Sequence, residues 1–418
     1  MPGEKVEVLI VGGGQSGLAM SEHLTAGDVP HLILERNRIA ERWRSERWDS
    51  LVANGPAWHD RFPTLEFADP SPDDFASKEQ IADYFEAYAE KIAAPIRCGV
   101  EVTLVERSED HAGFRAETTA GTIEADHVVA ATGPFQVPQI PPIAPADPAI
   151  TQLHSSAYRN PDQLPDGAVL VVGAGSSGTQ IADELLAAGR QVYLSVGPHE
   201  RPPRRYRGRD FVWWLGVLGH WDAEAPEEGK EHVSIAVSGK EGGRTVDFRD
   251  FDRRGMKLVG LTKSFDGGKV RFAPDLDENI ARGDAGYLSL LDEADAYLAH
   301  TGLDLPEDPE ARQLGKMSVA DPIEELDLAR AGVTSIIWAT GFATDYSWLR
   351  VDAFDANGNP LHRRGVSTEP GVYFLGLPWL SGRGSSFIWG VWHDARYLAD
   401  QIAIQRGYRA YRESATVA

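Results

Sequence analysis

VEVLIVGGGQSGLAMSEHLTAG, residues 6–27, decides how the rest of this chain reads. VEVLIV is an apolar, β-branched run of the kind that forms a buried parallel strand, and LAMSEHLTAG repeats its apolar positions at helical spacing. GGGQSG between them supplies a tight turn. Gly12 permits that turn, Gly14 lets the backbone approach a pyrophosphate, and Gly17 lets the helix close on the strand, so the helix N-terminus faces the phosphates. Gln15 and Ser16 fill the positions between. Glu35 ends the next apolar run, HLILE, 23 residues after Gly12, where a carboxylate grips the adenosine ribose of a dinucleotide.

The same grammar returns as AVLVVGAGSSGTQIADELLAAG, residues 168–189, followed by QVYLSV. Gly173, Gly175 and Gly178 take the glycine roles, with Ser176 and Ser177 at the helix start. The second acidic position is missing. Ser195 stands in its region, and Arg201, Arg204 and Arg205 follow within RPPRRYRGR. A carboxylate would repel a 2′-phosphate and a guanidinium grips one in a fork, so the pattern predicts NADPH over NADH, with Ser195, Arg204 and Arg205 as contacts. Two fingerprints in strand-turn-helix context predict a chain that holds two dinucleotides, most simply a flavoenzyme taking hydride from a nicotinamide.

Composition narrows the classes. The 418 residues are 42% hydrophobic, enough for two ordinary domains with proper cores, and the net charge of −22 argues against nucleic acid and anionic membranes. MPGEKVEVL lacks the charged head and apolar run of a signal peptide, and no stretch approaches a membrane span, so a cytoplasmic protein is expected. Cys98 is the single cysteine, which removes disulfides, CxxC redox pairs and cysteine metal clusters. His59, His154, His220 and His393 are scattered rather than set at ligand spacing, HExxH is missing, and no metal site is expected.

The organisation follows from paired turns. HVVAATG, 127–133, closes the first segment, and SIIWATGF, 335–342, closes a second. Between the first turn and the second unit runs PFQVPQIPPIAPADP, 134–148, a stiff proline-rich crossing. The expected fold class is α/β with two Rossmann-like dinucleotide-binding domains. Residues 1–150 and 343–418 would form an FAD domain, with an NADPH domain inserted at 151–342. Residues 222–248, rich in charge and glycine, are expected to form an exposed excursion.

The two fingerprints, the ATG turns and HSSAYRNP at 154–161 resemble class B flavin-dependent monooxygenases, a family that includes flavin-containing monooxygenases and the plant YUCCA enzymes. ERWRSERWDSL at 41–51, SVGPHERPPRRYRGRDFVWWL at 195–215 and GLPWLSGRGSSFIWGVWHDARYLADQI at 376–402 place the resemblance nearest the bacterial CzcO-like branch. The resemblance implies FAD and NADPH as cofactors. It further implies insertion of one oxygen atom from O2 into a small organic substrate through a flavin hydroperoxide, by N- or S-oxygenation or a related reaction. Baeyer-Villiger or decarboxylating oxygenation, a flavin redox sensor and a plain NADPH oxidase stay open beside it, as does a homodimer.

Individual positions carry over. Trp43 matches the tryptophan of the family's GGxW segment, although Glu41 and Arg42 stand where its glycines usually sit. Asn54, in SLVANGP, aligns with the asparagine near the reactive face of the flavin, where an amide donates to the peroxide; a turn residue before Gly55 and Pro56 is the alternative. Arg36, Val102, Thr132, Gly133 and Ser385 complete the implied cofactor contacts, with Arg383 beside Ser385 in GRGSS. His154 and Tyr158 keep the HxxxY end of FxGxxxHxxxY, while Pro148 and Ile150 replace its phenylalanine and glycine. Tyr158 and Arg159 depart from the tryptophan-containing Baeyer-Villiger pattern, and the pair is expected to brace the domain junction. Of Trp213, Trp214, Trp379, Trp389 and Trp392, no more than two are expected in an apolar substrate pocket, the rest in the core.

Overall fold

A computed structural model describes residues 4–109, 112–224, 234–315 and 322–416. β1 (Glu4–Val11) enters the core as the sequence predicts, with Val8, Leu9 and Ile10 fully buried. It runs parallel to β2 (His31–Glu35) on one side and to β6 (Gly121–Ala130) on the other. β3 (Ile96–Cys98) extends the sheet beyond β2, while β4 (Val102–Arg107) and β5 (Phe114–Thr118) form an antiparallel meander against the first half of β6. The second half of β6 pairs with the strand Val372–Phe374, so the end of the chain returns to this sheet. α1 (Gln15–Ala26) follows β1 and packs against the C-terminal helix Ile388–Thr416.

The second sheet is wholly parallel. Its members are β8 (Thr151–His154), β9 (Ala168–Val172), β10 (Val192–Ser195) and the strands Lys257–Val259 and Val333–Trp338. Every residue of β9 is buried, as expected of a central strand covered on both faces. α4 (Ser176–Ala187) follows it; α2 (Glu41–Ser45) and α3 (Lys78–Lys91), the latter opened by a Ser77–Gln80 capping box, belong to the first half of the chain.

The crossing between the sheets is a ribbon. β7 (Val137–Pro138), in the proline-rich connector, pairs antiparallel with Phe342–Ala343 on the return path. Gln139 N donates to Gly341 O at 3.0 Å, and the Thr340 hydroxyl bonds Gln139 O. Each ATG turn thus sits at a point where the chain leaves one sheet for the other.

Residues 234–248 correct the expected exposed excursion. Ala236, Val237, Ser238, Val246 and Phe248 are buried, because this run carries enough apolar side chains to be drawn against α4, and its carbonyls accept bonds from the second unit. Residues 225–233 lie outside the described residues.

Candidate active site

The two glycine turns have the same construction. A Cβ at Gly12 would lie 2.6 Å from Ala131 O, and one at Gly173 would lie 2.5 Å from Ala339 O, so each turn presses on the ATG segment beneath it. Both glycines have positive φ, 113° and 108°. A Cβ at Gly17 or Gly178 would run into the carbonyl of Gly12 or Gly173, which is the close helix-on-strand contact the motif requires. Gly14 is different. Its Cβ would meet nothing within 4 Å, and its φ of −87° is open to any residue, so it faces free space above the turn.

α1 and α4 start at Gly14 and Gly175 with no side-chain cap and no acidic residue in the first turn. Among the described residues, the N-terminal amides and the positive end of each helix dipole therefore have no capping side chain and no first-turn carboxylate. Gln15 Nε2 donates to Ser386 O at 2.9 Å and Ser176 Oγ to Ile235 O at 2.7 Å, which ties each helix start to a neighbouring loop. Ser16 is buried against Gly376, whereas Ser177 is half-buried at the mouth of the second turn.

Glu35 sits at the rim of the first turn. Its Oε2 accepts from Gly13 N and its Oε1 from Asn37 N, each at 2.8 Å, which aims the carboxylate and leaves lone pairs for a diol. Arg36 beside it is exposed. Val100 N donates to Glu35 O at 3.0 Å, which brings Val102, at the start of β4, to this end of the site. Thr132 and Gly133 lie under Gly12, and Gln136 Nε2 clamps them through Thr132 Oγ1 at 2.9 Å and Gly133 O at 2.8 Å. The residues fit a dinucleotide at each turn.

Trp43 packs against both the first and the second hydrophobic core, so it stands at the junction. The Arg47 guanidinium lies 5.6 Å from its ring centroid and 5.2 Å from that of Phe135. Among the described residues Arg47 has no carboxylate within ion-pairing distance, and loss of hydration pushes its pKa down to about 10. It remains charged. No motif marks this cation in the sequence.

Asn54 is held by groups from the second unit. Its Oδ1 accepts from Gln180 Nε2 at 2.9 Å, and its backbone carbonyl accepts from Arg204 Nη1 at 2.7 Å. Gly55 N donates to Asp60 Oδ2 at 2.9 Å, and Asp60 Oδ1 bonds His59 Nδ1 at 2.8 Å. The buried His59 ring stacks on Trp221 and Trp389, with centroids 5.2 and 5.8 Å away, and its Nε2 has no partner among the described residues. Of the expected pocket tryptophans, Trp389 joins this cluster. Trp214 is a core residue bonded to Tyr206 O, Trp213 meets Trp214 edge-on, and Trp392 packs beside His23.

Three expected contacts are placed elsewhere. Ser195 is buried, donates to Gly260 O at 2.9 Å and accepts from Thr262 N and Oγ1 at 3.0 and 2.8 Å, so its hydroxyl locks a strand end and has nothing left for a nucleotide. Arg204 is buried, with Nε and Nη2 on Asp210 Oδ2 at 2.9 and 2.5 Å and its guanidinium between the Phe75 and Phe211 rings. Ser385 is buried too, accepting from Ser381 N and Gly382 N at 3.0 and 3.1 Å. Ser195 meets partners from a distant segment, Arg204 is held by nearby Asp210 and by distant Asn54, and Ser385 is held within its own turn. Arg201 is likewise spent on Asp284 at 2.6 Å, and Arg383 on Glu200 at 2.6 Å. Arg205 stays exposed, so it keeps the candidacy that Arg204 loses.

His154 and Tyr158 brace the junction. His154 Nε2 bonds Gly341 O at 2.9 Å, and Tyr158 donates to Glu184 Oε2 at 2.8 Å, while Ser50 donates to the other oxygen of Glu184. Burial and the Glu184 charge push the Tyr158 hydroxyl up, and burial pushes His154 down. Among the described residues no group of three His, Cys, Asp or Glu is placed to hold a metal, and no helix is long and apolar enough to cross a membrane.

The family model for pyridine nucleotide-disulphide oxidoreductases matches residues 9–208. A CzcO-like oxidoreductase of Geobacillus kaustophilus is 35% identical over 95% of this chain and 98% of its own length. The chain belongs to the CzcO-like branch of the class B flavin-dependent monooxygenases. This family uses FAD and NADPH. The CzcO-like chain is also similar to the rice indole-3-pyruvate monooxygenase YUCCA1, 33% identical over 45% of this chain and 47% of the relative. A flavin-containing monooxygenase from Stenotrophomonas maltophilia superposes with a TM-score of 0.67 over 96% of this chain and 99% of the other, at 20% identity, and shares the fold.

Proposed function

We propose that this enzyme is an FAD- and NADPH-dependent monooxygenase that places one oxygen atom from O2 on a small organic substrate, a nitrogen or sulfur nucleophile or a related compound. The observation that carries the reading is Asn54. Its side chain stands between the two glycine turns' units with its oxygen taken by Gln180 and its NH2 group left without a protein partner among the described residues.

FAD would be held by the first turn, Glu35 and the amides of α1, and NADPH by the second turn, Ser177 and the amides of α4, with Arg205 toward the 2′-phosphate. The flavin, once bound, supplies oxygen activation after reduction by the nicotinamide. The chain's part is to orient and to exclude water. Trp43 closes the junction, Asn54 donates a hydrogen bond toward the reacting face, and the cluster of Trp58, Trp221 and Trp389 with His59 supports an apolar or aromatic substrate beside it.

The test is Asn54→Ala, assayed for oxygenated product against hydrogen peroxide per NADPH consumed. The expected result is retained flavin reduction with turnover diverted to hydrogen peroxide. Unchanged coupling would reduce Asn54 to a turn residue.

A further inference from the structure

Gln180 lies in α4, just beyond the second glycine fingerprint, and takes no part in it. Its side chain is buried, and its Nε2 donates both to Asn54 Oδ1 at 2.9 Å and to Val237 O at 2.7 Å. A carboxamide nitrogen carries two protons, so this pair of bonds consumes it. Val237 O is a backbone acceptor with no alternative polarity. If Gln180 flipped, its own oxygen would face that carbonyl, so the backbone fixes which end of Gln180 points where. Gln180 therefore offers Asn54 a donor, and Asn54 must turn its oxygen to α4 and its NH2 group away.

We propose that Gln180 is a positioning residue that sets the polarity of the Asn54 amide, so that the first unit presents a donor only when the second unit is docked on it. The inference rests on the donor role proposed for Asn54. Arg204 supports the same arrangement from the main chain, through Asn54 O at 2.7 Å and Ser238 O at 3.4 Å.

The experiment uses FAD-loaded enzyme with Gln180→Glu, Gln180→Met, Asn54→Ala and the Gln180→Glu/Asn54→Ala pair. Glutamate keeps the shape and offers Asn54 an acceptor, which invites the amide to reverse. The expected result is a several-fold rise in peroxide per NADPH for Gln180→Glu, close to that of Asn54→Ala, a smaller rise for Gln180→Met, and no further rise in the pair. A readout independent of turnover is thermal unfolding of the apoprotein through the same cycle, where the two substitutions should be coupled rather than additive. A role in packing alone would lower the midpoint and leave the peroxide ratio at the wild-type value. That pattern, or full additivity, overturns the proposal while leaving the role of Asn54 intact. An Asn54→Ala enzyme with unchanged coupling defeats the donor role and this inference with it. Should Gln180→Glu fail to fold, Gln180→Met carries the same comparison.

Discussion

Replacing Arg204 with methionine should damage stability and leave nucleotide preference alone. The Arg204 and Asp210 side chains are 3% and 10% exposed, and Asp210 is pinned as the cap of the helix Phe211–Val217 by Val212 N at 3.0 Å, so it cannot swing into water when its partner goes. Removing one member of a buried pair costs about 3–5 kcal/mol. At roughly 2–4 °C per kcal/mol for a unit of this size, the thermal midpoint should fall by about 6–20 °C. Asn54 O also loses its donor, so the junction loosens in the same step. Adding Asp210→Asn should recover a good part of the loss, since the cost comes from the orphaned carboxylate rather than from lost volume. The ratio of kcat/KM for NADPH over NADH should stay within about a factor of two, because a guanidinium enclosed by protein does not reach a 2′-phosphate. Differential scanning fluorimetry of both variants and steady-state kinetics with the two nucleotides measure this. A variant with the wild-type midpoint that loses NADPH about tenfold more than NADH would refute the reasoning.

Further outcomes are equally specific. Gly14→Ala meets no protein atom and no backbone penalty, so the apoprotein should melt as wild type while FAD retention on purification drops; full FAD content would show that the pyrophosphate lies elsewhere. Gly17→Ala, which collides with Gly12 O, should lower the midpoint of the apoprotein itself. Tyr158→Phe deletes one bond to a carboxylate and should cost about 1.5–3 kcal/mol of stability at unchanged kcat, measured by thermal unfolding beside turnover. His127 is buried, neither ring nitrogen has a partner among the described residues, and burial pushes its pKa down to about 4. Because the unfolded imidazole protonates near pH 6.5, stability should fall as pH drops from there to about 4, by about 3 kcal/mol from this residue. His127→Phe should flatten the acid side of the midpoint-against-pH curve, and an unchanged slope would assign it to other groups.

Legibility in the sequence followed the range of the interaction. The glycine turns were readable because their requirement is local: a positive φ at Gly12 and Gly173 and a missing Cβ at Gly17 and Gly178 show in the letters alone. Glu35 was readable for the same reason, one strand away along a fixed repeat. The central strands β1 and β9 announced themselves as apolar runs. Arg204 and Ser195 misled because a polar letter does not say whether its partner is a ligand or the protein.

What the sequence determined by itself, then, was a pair of strand, glycine-turn and helix units in an α/β fold, since backbone sterics and apolar periodicity act within a few residues. What only the tertiary structure decided was which polar groups remain free. Ser195 is spent on Thr262, and Asn54 is aimed by Gln180, 126 residues away. Residues 234–248 are drawn inward to supply the carbonyl of Val237. Hydrogen bonds between distant segments carry no periodic signal, so the bond between Gln180 and Asn54 appears only once the two segments are packed together.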